Sequence, residues 1–216
     1  MVLLFFVIST RGQEIVEKNL ETNLEKIVIE LDLIDHLELF NSDNTGEILV
    51  YAEGSGQKPV YDLKEENGYV LLRDVELFPE ESVLDQDKVC TVEPNYTTYR
   101  VYVPRDRELY VSIIEGNLYS TDFAGPLDVK MEQGIIKLSH MNGPVKVKLN
   151  SGSIHIRDIE NTRVDVATNL GVITGDLGHQ QKETYEKQFL ETIGKPDHSL
   201  LVRTIMANIF LYGPKD

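Results

Sequence analysis

The sequence is poor in the residue types that most often carry chemistry. Its 216 residues include one cysteine, Cys90, which excludes an intrachain disulfide and a cysteine metal cluster. Alone, Cys90 reads as a small half-buried hydrophobe rather than a nucleophile. Positive charge is also scarce: 21 Lys and Arg stand against 36 Asp and Glu, a formal charge of −15. Nucleic-acid binding needs a basic face to meet phosphates, so this balance argues against it. Docking on an anionic membrane is disfavoured for the same reason, whereas cationic or neutral partners stay open. The apolar run at residues 2–8 is too short to cross a bilayer, so no transmembrane span is expected.

Recognised motifs are missing as well. The five histidines fall at 36, 140, 155, 179 and 198, with no zinc-ligand spacing between any two. There is no Walker loop, no dinucleotide glycine fingerprint after a strand, no G-x-S-x-G and no calcium loop. The acidic runs Glu80-Glu81 and Asp85, Asp87 lack a shaping glycine and read as solvated loop. No cofactor, no metal site and no catalytic set is expected.

What the chain does contain is a repeat. Residues 109–126, 127–144, 145–163 and 164–179 carry one frame, with Gly116, Gly134 and Gly152 spaced 18 apart and Gly171 a further 19 on. Before each glycine stand three alternating apolar positions: Leu109, Val111 and Ile113; Leu127, Val129 and Met131; Val145, Val147 and Leu149; Val164, Val166 and Thr168. After it, Leu118, Ile136, Ile154 and Ile173 resume the alternation, and Phe123, Met141 and Ile159 add a further apolar column. Period two means strands with one buried face. A lone copy cannot bury that face, so copies are expected to stack, strand–turn–strand, with like residues over like. The glycine suits a corner with positive φ, and Gly125-Pro126 and Gly143-Pro144 punctuate the return to the next rung. The expected fold is all-β: a parallel β-solenoid, or β-helix, with 18-residue rungs and an irregular N-terminal part.

Along the chain, residues 1–12 (MVLLFFVISTRG) resemble the hydrophobic region of a secretory signal without its basic start, the competing reading being a first buried strand. Residues 13–25 are polar and read as an N-terminal arm, and 26–216 as a single β-solenoid domain. Ile27, Ile29, Leu31 and Leu33, then Leu37 and Leu39, mark a strand over 26–40. Residues 61–72 read as a degraded copy around Gly68, broken at Glu65, and 74–89 as an acidic excursion. The segment 99–104 is a strand leading into the repeats. In 177–199, Tyr185, Phe189 and Ile193 allow a short helix or an extended rung. Leu200, Val202 and Thr204 then fall 36 residues, two periods, after Val164, Val166 and Thr168.

Stacking at 18 residues would superpose Asp122, His140 and Asp158 on the exterior, flanked by Tyr119, Lys137 and His155 and by Thr121, Ser139 and Arg157. An imidazole between two carboxylates favours its charged form and can act as an acid or base. The competing reading is a solvated ladder in which opposite charges offset stacking repulsion. Tyr110 and Tyr119 are candidates for stacking on sugar rings.

The segments NLYSTDFAG, GIIKLSHMNG, SGSIHIRDIEN and LGVITGD, with the strand YRVYVP and the closing LLVRTIMANIFLYG, resemble the putative adhesin β-solenoid domains of unknown function found in bacterial envelopes. Ala207 stands where that family usually has glycine. The resemblance implies a secreted, periplasmic or cell-surface location in a bacterium and an extended segment near 187–193. It transfers no catalytic residue. The expectation is a non-enzymatic, adhesin-like binding or scaffold module, with carbohydrate or an envelope protein as partner and Asp122, His140, Asp158, Tyr119 and His155 as the candidate ligand-binding set. The alternatives are a polysaccharide-active β-helix enzyme and a regulatory partner in envelope-stress signalling.

Overall fold

The computed structural model describes residues 14–55, 58–75, 96–177, 183–185 and 187–214. The signal-like stretch 1–12, the acidic residues 80–87, Cys90 and His179 lie outside the described residues. In chain order the strands are β1 (Glu14–Glu21), β2 (Lys26–Ser42), β3 (Glu47–Gly54), β4 (Tyr61–Glu66), β5 (Tyr69–Asp74), β6 (Thr97–Pro104) and β7 (Glu108–Thr121). They continue as β8 (Leu127–Ser139), β9 (Val145–Arg157), β10 (Thr162–Thr168), β11 (Ile173–Asp176), β12 (Glu183–Tyr185), β13 (Gln188–Thr192) and β14 (His198–Tyr212). All belong to one mixed sheet, and the chain is all-β among the described residues.

The repeat lies at its centre. β7 pairs with β8, and β8 with β9, in parallel ladders that set Leu109, Leu127 and Val145 side by side, then Val111, Val129 and Val147. All six side chains are buried. Each burial removes apolar surface from water, worth roughly 1.5–3 kcal/mol for a side chain of this size. The glycine does not separate two strands, as the repeat alone suggests. Each copy is one continuous strand bent at its glycine, where two successive outward residues flip the alternation and return the second half to the same core. The bend gives each strand a first and a second leg. At Gly134, φ is +141, and a Cβ would lie 1.7 Å from the Gly116 carbonyl oxygen. The corner therefore excludes a side chain by contact as well as by backbone angle. After the second leg, Phe123 and Ile159 point into the core and Met141 packs against it, closing the way back to the next copy.

The ends differ from the expected regular stack. Every antiparallel pair lies there: β1–β3, β3–β6 and β4–β5 on one side, β10–β13 and β11–β12 on the other. The strands are thus mixed and the sheet does not close on itself, which replaces the expectation of uniformly parallel rungs over 26–216. β2, not the segment before the repeats, lies directly against β7; β6 sits one strand further out, on the second leg of β2. Residues 61–72 are not a rung. Asn67 (φ 50) and Gly68 (φ 83) make the two-residue turn of a hairpin, and β5 alone reaches the first leg of β2. The expected N-terminal arm is strand β1, seated on β3. The helix allowed in 177–199 is absent among the described residues, where β12 and β13 are extended.

The largest departure concerns the fourth copy. β10 does not stack on β9; β14 lies between them, pairing Leu200 with Val145 on one side and with Val164 on the other. The reason is continuity. β14 runs unbroken through its corner and matches β9 along both legs, whereas the fourth copy is interrupted at Asn169–Gly171 and splits into β10 and β11. Ala207 keeps the corner of β14 without a left-handed residue, and the broken copy covers each leg of β14 separately.

Candidate functional site

The corner at the end of the second leg brings the expected column together. Asp122, His140 and Asp158 share a left-handed backbone, with φ of 58, 49 and 56. Asp, Asn and His are the side chains that best tolerate this conformation, so the turn itself selects them. His140 Nδ1 is 3.5 Å from Asp158 Oδ2. Asp122 joins through Asn142, whose Nδ2 donates to Asp122 Oδ1 at 3.0 Å and to the His140 carbonyl at 3.3 Å. The His140 side chain is 59% exposed and Asp122 is exposed as well, so water competes for each of these contacts.

Beside the column lies a shallow hollow of about 220 Å³ that also meets Asp197 and His198, which the sequence gave no reason to join to it. His198 Nδ1 contacts Asp197 Oδ1, and its Nε2 lies 2.9 Å from Thr162 Oγ1. This order of acid, imidazole and hydroxyl matches a nucleophilic triad in outline only. Thr162 is 3% exposed and its hydroxyl also contacts the Glu160 carbonyl, so a substrate cannot reach it. Among the described residues no group of three or more His, Cys, Asp or Glu could hold a metal ion.

Tyr119 and His155 belong elsewhere, on the outer face of the second legs. Tyr119, Lys137 and His155 form one column, and the fourth member is Phe210 of β14. The His155 and Phe210 rings stack at 4.6 Å and 13°. Lys137 Nζ lies 5.1 Å from the Tyr119 ring centre, and the Arg157 guanidinium 5.5 Å from that of Tyr212. Burial, then the charges of Lys137 and Arg157, push the His155 imidazole below its ordinary value. Burial, then Asp35 and Glu38, push the Tyr119 phenol up. Tyr110, the other aromatic singled out, lies on the first leg beside Asp128, so the fold separates the two tyrosines. Phe210 and Tyr212 escape the sequence reading because β11 of the fourth copy lies on one side of them only, and the strand on the other side is β9, some fifty residues earlier.

A second hollow, about 450 Å³ and open, lies among Asp35, His36, Glu53, Thr98 and Arg100. Its charges are answered internally: Arg100 meets Glu38 at 3.2 Å and Glu53 at 3.7 Å, and His36 meets Asp35 at 3.0 Å.

Comparison with known proteins gives structural likeness alone. No family model matches the chain, and no curated protein does. Its fold is similar to that of a crystal structure described as a putative cell adhesion protein from Clostridium sporogenes, with a TM-score of 0.65 and 14% identity. That match covers 94% of this chain and all of the other. Structures described as putative adhesins from Bacteroides fragilis and Parabacteroides merdae match at TM-scores of 0.31 and 0.36, with 11% and 9% identity, over 93% and 94% of this chain and 98% and 97% of theirs. No helix among the described residues is long and apolar enough to cross a membrane.

Proposed function

We propose that the chain is a non-catalytic, adhesin-like binding or scaffold module of a bacterial envelope, secreted or held at the cell surface. Its central parallel copies are read as β-solenoid rungs whose outer faces display side chains to a ligand. The observation that carries the reading is the openness of the Asp122–His140–Asp158 column. Asp122, His140 and Asp158 occupy turns that require their backbone conformation, and His140 stands in solvent rather than in a shielded cleft. General acid–base chemistry gains from burial and fixed partners, which this corner does not supply. The fold likeness to a described cell adhesion protein supports the same reading.

The experiment is co-sedimentation of the purified protein with bacterial envelope fractions, alongside incubation with acidic polysaccharides. The expected result is retention in the pellet with no new reducing ends and no unsaturated products. Turnover that disappears in His140→Asn would overturn the proposal in favour of a polysaccharide-active enzyme working from that corner.

A further inference from the structure

The outer face of the second legs sets aromatic rings beside cations. Three outward positions on each of β7, β8, β9 and β14 make up the face: 117, 119 and 121; 135, 137 and 139; 153, 155 and 157; 208, 210 and 212. None is Asp or Glu, although 36 of 216 residues, one in six, are acidic, and the acids resume on either side, at Glu38 of β2 beside Tyr119 and at Asp176 of β11 beside Tyr212. An even spread would place two acids there. The face instead holds Lys137 and Arg157, and neither forms an ion pair among the described residues. On the first legs Lys146 and Arg203 are paired with Asp128 and Asp165 at 2.8 and 2.9 Å, while Lys130 and Lys148 form no ion pair among the described residues. Lys137 and Arg157 lie against the Tyr119 and Tyr212 rings, so their positions are set before any ligand arrives. The His155 imidazole beside them is lowered by burial first and then by the charges of Lys137 and Arg157.

We propose that this face binds an acidic polysaccharide, with sugar rings lying against Tyr119, Phe210 and Tyr212 and carboxylates pairing with Lys137 and Arg157. The proposal rests on the adhesin-like reading above and names its ligand class. Adjacent strands are ~4.8 Å apart, so a polymer crossing them meets aromatic and cationic side chains in succession. The Tyr119, Phe210 and Tyr212 side chains are half-exposed, with Tyr119 packed against His36 at 5.6 Å as well as Lys137, so the apolar face of a sugar would meet their exposed edges. Nucleic acid fits less well: duplex DNA carries a charge every ~1.7 Å and would meet the net −15 of the whole chain. A uronate polymer carries at most one charge per sugar. Asp122 and Asp158 border the face at the corner and limit how far such a chain can extend in that direction.

The test is affinity electrophoresis of the full chain in gels containing polygalacturonate, dextran or double-stranded DNA. Polygalacturonate is expected to retard the protein, less so as salt rises, and dextran is not. Lys137→Gln with Arg157→Gln weakens the retardation about tenfold or more, and Phe210→Ala about tenfold. Lys148→Gln, on the first leg of β9, leaves it unchanged. Unfolding midpoints confirm that each variant is folded. The proposal is overturned if polygalacturonate does not retard the wild type, if dextran or DNA retards it as strongly, or if the double variant binds like the wild type. A wild type that ignores polygalacturonate yet sediments with envelope fractions refutes the ligand class alone; one that does neither refutes the adhesin-like reading too.

Discussion

Each central coil turns two corners, and the two are built on opposite physical grounds. At the Gly116, Gly134 and Gly152 corner, φ is positive and the neighbouring strand occupies the place of a side chain: a Cβ on Gly134 or Gly152 would come within 1.7 and 1.9 Å of the preceding glycine's carbonyl oxygen, and one on Gly116 within 2.8 Å of the Ile34 carbonyl oxygen. At the Asp122, His140 and Asp158 corner, φ is also positive but the side chains stand at the surface. At Gly134 and Gly152 the first corner admits glycine alone, whereas β14 passes it at Ala207 without a positive φ. The second admits any residue that tolerates a left-handed backbone, and Asp and His are among the few that do. A column of acid, imidazole and acid is therefore what a repeated turn of this kind produces without any selection for chemistry. Two aligned columns in one repeat can have unrelated causes, and only the space around the Cβ tells them apart.

Substitutions sharpen this contrast, and the largest effect is expected at the glycine. Gly134→Ala forces a Cβ onto backbone and is expected to cost about 4 kcal/mol, read as a fall in urea unfolding free energy. At the other corner, His140→Val places a β-branched residue in the left-handed region and is expected to cost ~1–2 kcal/mol by the same measurement. Gly68→Ala, with φ of +83 but open space around it, is expected to cost ~1 kcal/mol, which separates the angle from the contact. His140→Asn keeps the backbone preference and is expected to change stability by less than ~0.5 kcal/mol. A loss at His140→Asn as large as at His140→Val would mean that the His140–Asp158 contact, and not the turn, explains the column.

The smallest expected effect is one of pH. Burial and the cations Lys137 and Arg157 hold the folded His155 below its unfolded value. The unfolded chain therefore binds this proton more readily, and stability is lost as pH falls from about 6.5 through the folded value. Above about 6.5 the group contributes nothing to the slope. His155→Gln should remove this part of the acid-side decline. Comparing urea midpoints of the two proteins between about pH 8 and pH 5 checks it.

The sequence reading succeeds where alternation and spacing act together. Val129 and Val147 are buried side by side, and Asp122, His140 and Asp158 share one corner. It fails where a period leaves several answers. Leu200 lies two periods after Val164, and this offset fixes which residues share a column without fixing which strands are neighbours. In the structure the unbroken β14 pairs with both legs of β9, and the fourth copy, interrupted after Thr168, pairs with both legs of β14 as β10 and β11. Residues 61–72 mislead for a related reason. Their spacing about Gly68 imitates a copy, but Asn67-Gly68 turns the chain back on itself. As a result the outer aromatic face was half legible: Tyr119 and His155 stand out in the repeat, whereas Phe210 and Tyr212 join them only through strand order.

The claim on which the functional account depends is that recognition belongs to the second-leg face and the corner is scaffold. Histidine ring signals followed by NMR during addition of polygalacturonate test it directly. The predicted result is a shift of the His155 signals, with the imidazole taking up its proton more readily as anionic charge settles beside Lys137 and Arg157, while the His140 signals stay in place. Movement of His140 with His155 unchanged would contradict the account.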